Sequence, residues 1–141
     1  MKYSKQIGII LIVCVAITFL GVASAAEEVV NGVKFNIPDG FVKNEEMSSV
    51  SKSTYGTDEI AFYENGDDCI SLTISSLNSG IAGLPQDDKY EDKNISGING
   101  KYCSEEDGEE FIYAIDNKSI TIWLPHNCTV SFEDIIINEA S

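Results

Sequence analysis

ISGINGKYCSEEDGEEFIYAIDNKSITIWL, residues Ile95 to Leu124, reads as three strands joined by two turns. Phe111, Tyr113 and Ile115 fall on one face of the middle strand and Ile112 and Ala114 on the other, the two-residue period of extended chain. Ile120, Ile122 and Leu124 share a face of the last strand, opposite Thr121 and Trp123, and Asp116-Asn117-Lys118 is the turn between the two. Apolar residues on both faces predict a central place in an antiparallel sheet with cover on each side. The first strand, Ile95–Cys103, contains Gly97 and Gly100 and is expected to bend or bulge. Ser104–Glu110 (SEEDGEE) is a charged turn around Gly108.

Working outward, a second hairpin precedes this unit. Ile60 and Phe62 alternate with Ala61 and Tyr63, Asn65-Gly66 marks a tight turn, and Ile70, Leu72 and Ile74 alternate with Cys69, Ser71, Thr73 and Ser75. The hydroxyl side of that returning strand predicts a lightly covered sheet face. Val33, Phe35 and Ile37 form a half-buried strand that Pro38 ends. Residues 43–57 read mostly as loop, with Met47 and Val50 as anchors of a brief helical turn. Residues 76–94 read as a surface excursion broken by Gly80, Gly83 and Pro85, with a short helix able to start at Pro85. At the C-terminus, Ser131 and Asp134 have capping spacing, and Phe132, Ile135, Ile136 and Glu139 have helical spacing. This predicts a short helix on the sheet.

The first residues belong to export rather than to the fold. Lys2 and Lys5 precede an apolar run, Ile7–Val22, and Ala23-Ser24-Ala25 supplies the small residues that a signal peptidase accepts. Residues 1–25 read as a signal peptide, with its N-terminal signal helix, and residues 26–141 as a single secreted domain. An uncleaved anchor is the alternative, although the run is shorter than the ~20 residues a bilayer needs. Cys14 lies inside the run with no lipobox before it.

All 23 acids and seven of the nine lysines follow Ala25, a balance of −16, and the chain has no arginine. Such a surface repels nucleic-acid phosphates and anionic lipid, and without guanidinium groups it lacks a bidentate phosphate fork. Nucleic acid is thereby excluded as a partner class, and a membrane is met only through the leader if that is uncleaved. High negative charge serves solubility or a cationic partner.

NGVKFNIPDGF (Asn31–Phe41), NISGINGKYC (Asn94–Cys103), EEFIYAIDNKSITIWLP (Glu109–Pro125) and the short terminal helix together resemble a group of small secreted proteins of methanogenic archaea. That likeness covers nearly all of the mature chain, rests on turn glycines and strand ends, and names no functional residue. It implies a surface-exposed protein in an anoxic setting, where reduced thiols persist. FNIPDGF also resembles the opening strand of PsbP-like and Mog1-like α/β sandwich domains, mostly non-enzymatic interaction modules.

Candidate chemistry is sparse. Asn94-Ile95-Ser96, Asn117-Lys118-Ser119 and Asn127-Cys128-Thr129 are N-glycan acceptor sequons, Asn117 being the best placed at a hairpin tip, with chance as the competing account in an Asn- and Ser-rich chain. Cys69, Cys103 and Cys128 are an odd number of thiols, which leaves one unpaired unless it bridges two chains. His126, the sole histidine, could complete a Cys₃His zinc set with them, but zinc sites show two close ligand pairs and here only His126 and Cys128 are close. The same two residues could be base and nucleophile, which neighbours two apart rarely manage. The acidic clusters at Asp67-Asp68, Asp87-Asp88, Glu91-Asp92 and Glu105–Glu110 suit calcium chemically but lack its spaced loop, and a solvated charge run is the plainer account. No phosphate loop, dinucleotide fingerprint, serine elbow or haem motif occurs.

These observations predict an α+β domain: an antiparallel sheet of five or six strands with one or two short helices packed on a face. They point to an exported, acidic, non-catalytic binding or interaction module of the cell surface, with a protein or cell-envelope partner and no cofactor. The alternatives are a small hydrolase or thiol enzyme using Cys128 and His126, and a domain stabilised by calcium or zinc.

Overall fold

The computed structural model describes residues 25–139; the leader read over residues 1–25 lies, Ala25 apart, outside them. The elements in chain order are β1 (Ala26–Val30), β2 (Val33–Ile37), β3 (Val42–Lys43), β4 (Ser49–Lys52), β5 (Gly56–Asn65), β6 (Asp68–Leu77), β7 (Glu91–Ile95), β8 (Ile98–Ser104), β9 (Gly108–Ile115), β10 (Lys118–Pro125) and one helical turn, α1 (Phe132–Ile135). β1 and β2 make a two-stranded sheet. The other eight make one antiparallel sheet in the order β3-β5-β6-β10-β9-β8-β7, with β4 also pairing with β5.

The α+β expectation is overturned: 57% of the described residues are in strands and 3% are helical. The covering layer that helices were expected to supply is the β1–β2 hairpin, assisted by the C-terminal segment. Local chemistry explains each departure. The Asp134 carboxylate accepts from the Ser131 N–H (2.9 Å) and hydroxyl (3.1 Å), so the capping residues do start a helix. It lasts one turn, because the β-branched run Ile135–Ile137 favours extended chain: Ile136 (φ −71°, ψ 129°) leaves the helix and bridges Phe35 of β2. Ser96 and Gly97 (φ 54° and 82°) have the two positive angles of a primed hairpin turn, so the expected bulged strand is instead the β7–β8 hairpin. Ser49–Lys52, read as loop, pairs with Thr57–Ile60 of β5. No helix starts at Pro85.

The inner face of the large sheet is assembled by register. Ile74, Ile120 and Tyr113 lie in one cross-strand row, and Leu72, Ile122 and Phe111 in the next. All six are buried, as are Ile70 and Leu124. Val30, Phe35 and Ile37 of the hairpin, with Phe132, Ile135 and Ile136, close over them into one core. Each such side chain contributes on the order of 1.5–3 kcal/mol on burial. The outer side of β6 keeps its hydroxyls: Ser71, Thr73 and Ser75 stay partly exposed, opposite Trp123, Thr121 and Ser119. Cover on the outer side comes from the 78–90 connection, which follows the length of β9. Its Ala82 N–H donates to the Asp116 carbonyl (3.0 Å) at one end and the Tyr90 hydroxyl to Glu110 (2.6 Å) at the other.

Two buried glycines show how tightly the faces are filled. A Cβ on Gly108 would lie 2.6 Å from the Trp123 ring, and one on Gly100 would lie 2.6 Å from the Phe111 ring and 2.4 Å from the Ile112 carbonyl oxygen. Each glycine is roofed by an aromatic ring from the neighbouring strand. We expect Gly100→Ala to cost about 1–3 kcal/mol through overpacking, read as a lower urea midpoint; an unchanged midpoint would show that the ring does not pack there.

Candidate binding cleft at the turn end of the sheet

Alternating strand directions send the β1–β2, β7–β8 and β9–β10 turns to the same end of the molecule. Asn31, Ser96 and Asp116, the three non-glycine residues with positive φ among the described residues, each open one of these turns (φ 45°, 54° and 53°). Between the turns and residues 137–139 lies an open cleft of about 650 Å³. Its floor is apolar (Val33, Ile98, Ala114, Ile115, Ile137), and its polar groups are the amides of Asn99, Asn117 and Asn138, the ammonium groups of Lys34 and Lys118, and the carboxylates of Asp116 and Glu139.

Asn31 locks this end together. Its N–H donates to Glu59 (2.6 Å), and its side-chain amide lies 3.2 Å from the carbonyls of Thr57 and Ile74 and from the Ser76 hydroxyl. The Lys118 ammonium donates to the Asn31 carbonyl at 2.8 Å, with Gly32 giving it room, since a Cβ there would lie 2.6 Å from Nζ. One ammonium hydrogen is thereby used. Lys34 is shared between Glu27 (3.9 Å) and Glu139 (3.5 Å), exposed pairs of small energetic weight. The Asn138 amide donates to the Ser96 carbonyl (2.9 Å), fixing the terminal segment against the β7–β8 turn. Among the described residues, the cleft lining holds no Cys, His, Ser or Tyr.

Exposed apolar side chains crowd the same end. Tyr55 (82% exposed) and Ile81 (85%) stand on turns at this end, and Leu77 and Ile115 are exposed at the ends of β6 and β9. Backbone bonds tie these turns side by side: Asn78 N–H to Tyr55 (2.9 Å), Leu77 N–H to Asn117 (2.9 Å) and Ala82 N–H to Asp116 (3.0 Å).

Of the residues the sequence singled out, Asn117 lines the cleft, and the three cysteines and His126 lie elsewhere. All three cysteines are free thiols. Cys69 points to the outer side of β6, since Ile70 and Leu72 point inward. Cys128 packs against the inner core, its sulfur 3.7 Å from the Cys69 carbonyl. Cys103 is buried on β8, opposite Glu110. The His126 ring meets the Glu105 carbonyl. Neither the Cys₃His set nor a Cys128–His126 dyad is assembled. Burial and the neighbouring Asp68 push the Cys128 thiol up to about 12, the reverse of an activated nucleophile. Of the sequons, Asn117 is engaged with the Leu77 carbonyl (2.6 Å) and Asn94 with Asn99 (2.8 Å). Asn127 is exposed in the turn closed by Cys128 N–H to Pro125 (3.0 Å), and its amide has no partner among the described residues.

Asp68 anchors that last turn. Burial raises its pKa, but the Cys128 thiol, the Thr129 N–H (3.0 Å) and hydroxyl (2.7 Å) and the Cys69 N–H outweigh it and hold the carboxyl below its ordinary range. A lowered carboxyl contributes stability above the unfolded value of about 3.9 and loses it as pH falls through the folded value. Asp68→Asn should therefore lower the urea midpoint at neutral pH, by a gap that narrows below about pH 4. A gap of constant size across that range would mean the charge is not what anchors the turn.

Comparison with known proteins leaves the cleft to be read from its geometry: no protein-family model, curated protein or solved structure matches the chain.

Proposed function

We propose that this protein is an exported, non-catalytic binding module of the cell surface that meets its partner through the turn end of its sheet. The observation that carries this reading is the exposure of Tyr55, Leu77, Ile81 and Ile115 at the end of the sheet that also holds an open cleft lined with amides and lysines. Large apolar side chains held out at adjoining turns mark interaction surfaces, and Tyr is among the residues that dominate interface energetics. Export is supported by the charged start, apolar run and Ala-Ser-Ala of residues 2–25, and by the likeness to small secreted archaeal proteins. With seven lysines against 23 acids in the exported part, the favoured partner presents a cationic face.

A photo-crosslinking residue placed at Tyr55 or Ile81 in cells that make the protein should yield one discrete adduct, and the same residue at Thr73 on the outer face should yield none. Tyr55→Ala with Ile81→Ala should weaken binding of the captured partner by about tenfold or more. An adduct formed at Thr73 alone, or undiminished binding by the double variant, would sink this reading.

Export has its own signature. Protein recovered from outside the cell should begin at Ala26, and any N-glycan should sit on Asn127, so that Asn127→Gln alone among the three sequon variants removes the added mass. A start at Met1, or a glycan lost with Asn117→Gln, would contradict this assignment.

A further inference from the structure

A second group of side chains gathers at the end of the sheet opposite the cleft, on the outer side of β8 and β9. We propose that Cys103, Glu105 and Glu110 form a three-ligand site for a thiophilic divalent cation of the zinc type. The Cys103 sulfur and one oxygen from each carboxylate all lie within 4.8 Å of one another. Strand register produces this: Cys103 and Glu110 are a directly opposed β8–β9 pair, and Glu105 enters the turn closed by its N–H on the Gly108 carbonyl (2.8 Å).

The thiol separates this group from an ordinary run of surface acids. Cys103 is 4% exposed, and its thiol has one long, weak hydrogen bond, to the carbonyl of its neighbour Ser104 at 3.9 Å. A buried thiol held only by that weak backbone contact thus lies beside two carboxylates. Both carboxylates are already oriented through one oxygen, the Oε1 of Glu110 by the Tyr90 hydroxyl (2.6 Å) and the Oε1 of Glu105 by the Lys89 ammonium (2.8 Å). A carboxylate has about four lone-pair sites, so each keeps acceptor capacity for a cation. His126 meets the Glu105 carbonyl and steadies the same turn. Such outer contacts are what fix ligand direction in protein metal sites.

The donor set selects the ion. Carboxylates alone suit calcium, whereas a thiolate shifts preference to zinc-like ions, whose tetrahedral shell would be completed by water. On binding, a sulfur–metal bond forms and the thiol proton passes to solvent. Lys89, half-exposed, is able to withdraw as the cation takes over neutralisation of Glu105.

Cadmium titration of the reduced, full protein, followed by the ultraviolet thiolate-to-cadmium absorption with zinc as competitor, tests the site. Saturation at one equivalent is expected, retained when Cys69 and Cys128 are both replaced by serine and lost in Cys103→Ser. Glu105→Gln and Glu110→Gln should each weaken binding by about tenfold or more. These two variants leave the buried thiol in place and decide the matter if Cys103→Ser does not fold. An absent band at one equivalent, a band surviving in folded Cys103→Ser, or unchanged affinity in both glutamine variants overturns the proposal.

Discussion

The apolar contact between the β1–β2 hairpin and the inner face of the large sheet governs the arrangement of the whole molecule. A two-stranded hairpin is marginal alone in water. Here Val30, Phe35 and Ile37 turn it into a lid over Ile74, Ile120 and Leu72, and Asn31 locks its tip to β5 and β6. The C-terminal segment completes the layer by continuing the hairpin's own pattern, through the Phe35–Ile136 bridge, instead of adding a helix. Hydrogen bonds of the Asn31 kind contribute about 1 kcal/mol each, so their main effect is to set where the lid sits. The apolar burial supplies most of the stability.

A narrow lid on a wide sheet leaves the two ends of the strands to their turns, and the ends differ in chemistry. One collects left-handed turn residues, asparagine amides, two lysines and exposed apolar side chains around an open cleft. The other collects Asp68, Cys128 and His126 along the final turn, and Cys103, Glu105, Glu110, Lys89 and Tyr90 on the outer face. Antiparallel connectivity enforces this division, because successive turns alternate between ends. The 78–90 connection is the exception that travels from one end to the other, and its tethers at Asp116 and Glu110 link the two regions through a single strand, β9.

The thiols show why proximity in sequence was a poor guide to chemistry. His126 and Cys128 are two residues apart, yet the Pro125–Cys128 turn sends the ring toward Glu105 while the sulfur turns to Asp68. A carboxylate that accepts from a thiol keeps it protonated, and burial acts in the same direction. Burial also raises Cys69 and Cys103, so all three lie on the unreactive side of an ordinary cysteine. Bringing Cys103 to two carboxylates required the β8–β9 register, which the residue pattern left open because Gly97 and Gly100 were equally compatible with a bulge.

By itself the sequence determined much of what depends on alternation and on its plainest turns, although the Ser96-Gly97 turn of the β7–β8 hairpin reads there as a bulge. The β5–β6 and β9–β10 hairpins, the end of β2 at Pro38, the hydroxyl-rich outer side of β6 and the inward burial of Phe111, Tyr113, Ile120, Ile122 and Leu124 are periodic, local properties. A two-residue period specifies a face wherever one side must be dry. Tertiary structure decided what could not be local. A short apolar run such as Ile135–Ile137 fits strand or helix, and the partner it met, Phe35, made it extended. Ser49–Lys52 became a strand only because an edge of β5 was free to pair. The cleft, the apolar rim and the Cys103 cluster are built from turns and strands far apart in the chain. Their positions follow from register and strand order, which are set by how the whole sheet packs under its hairpin.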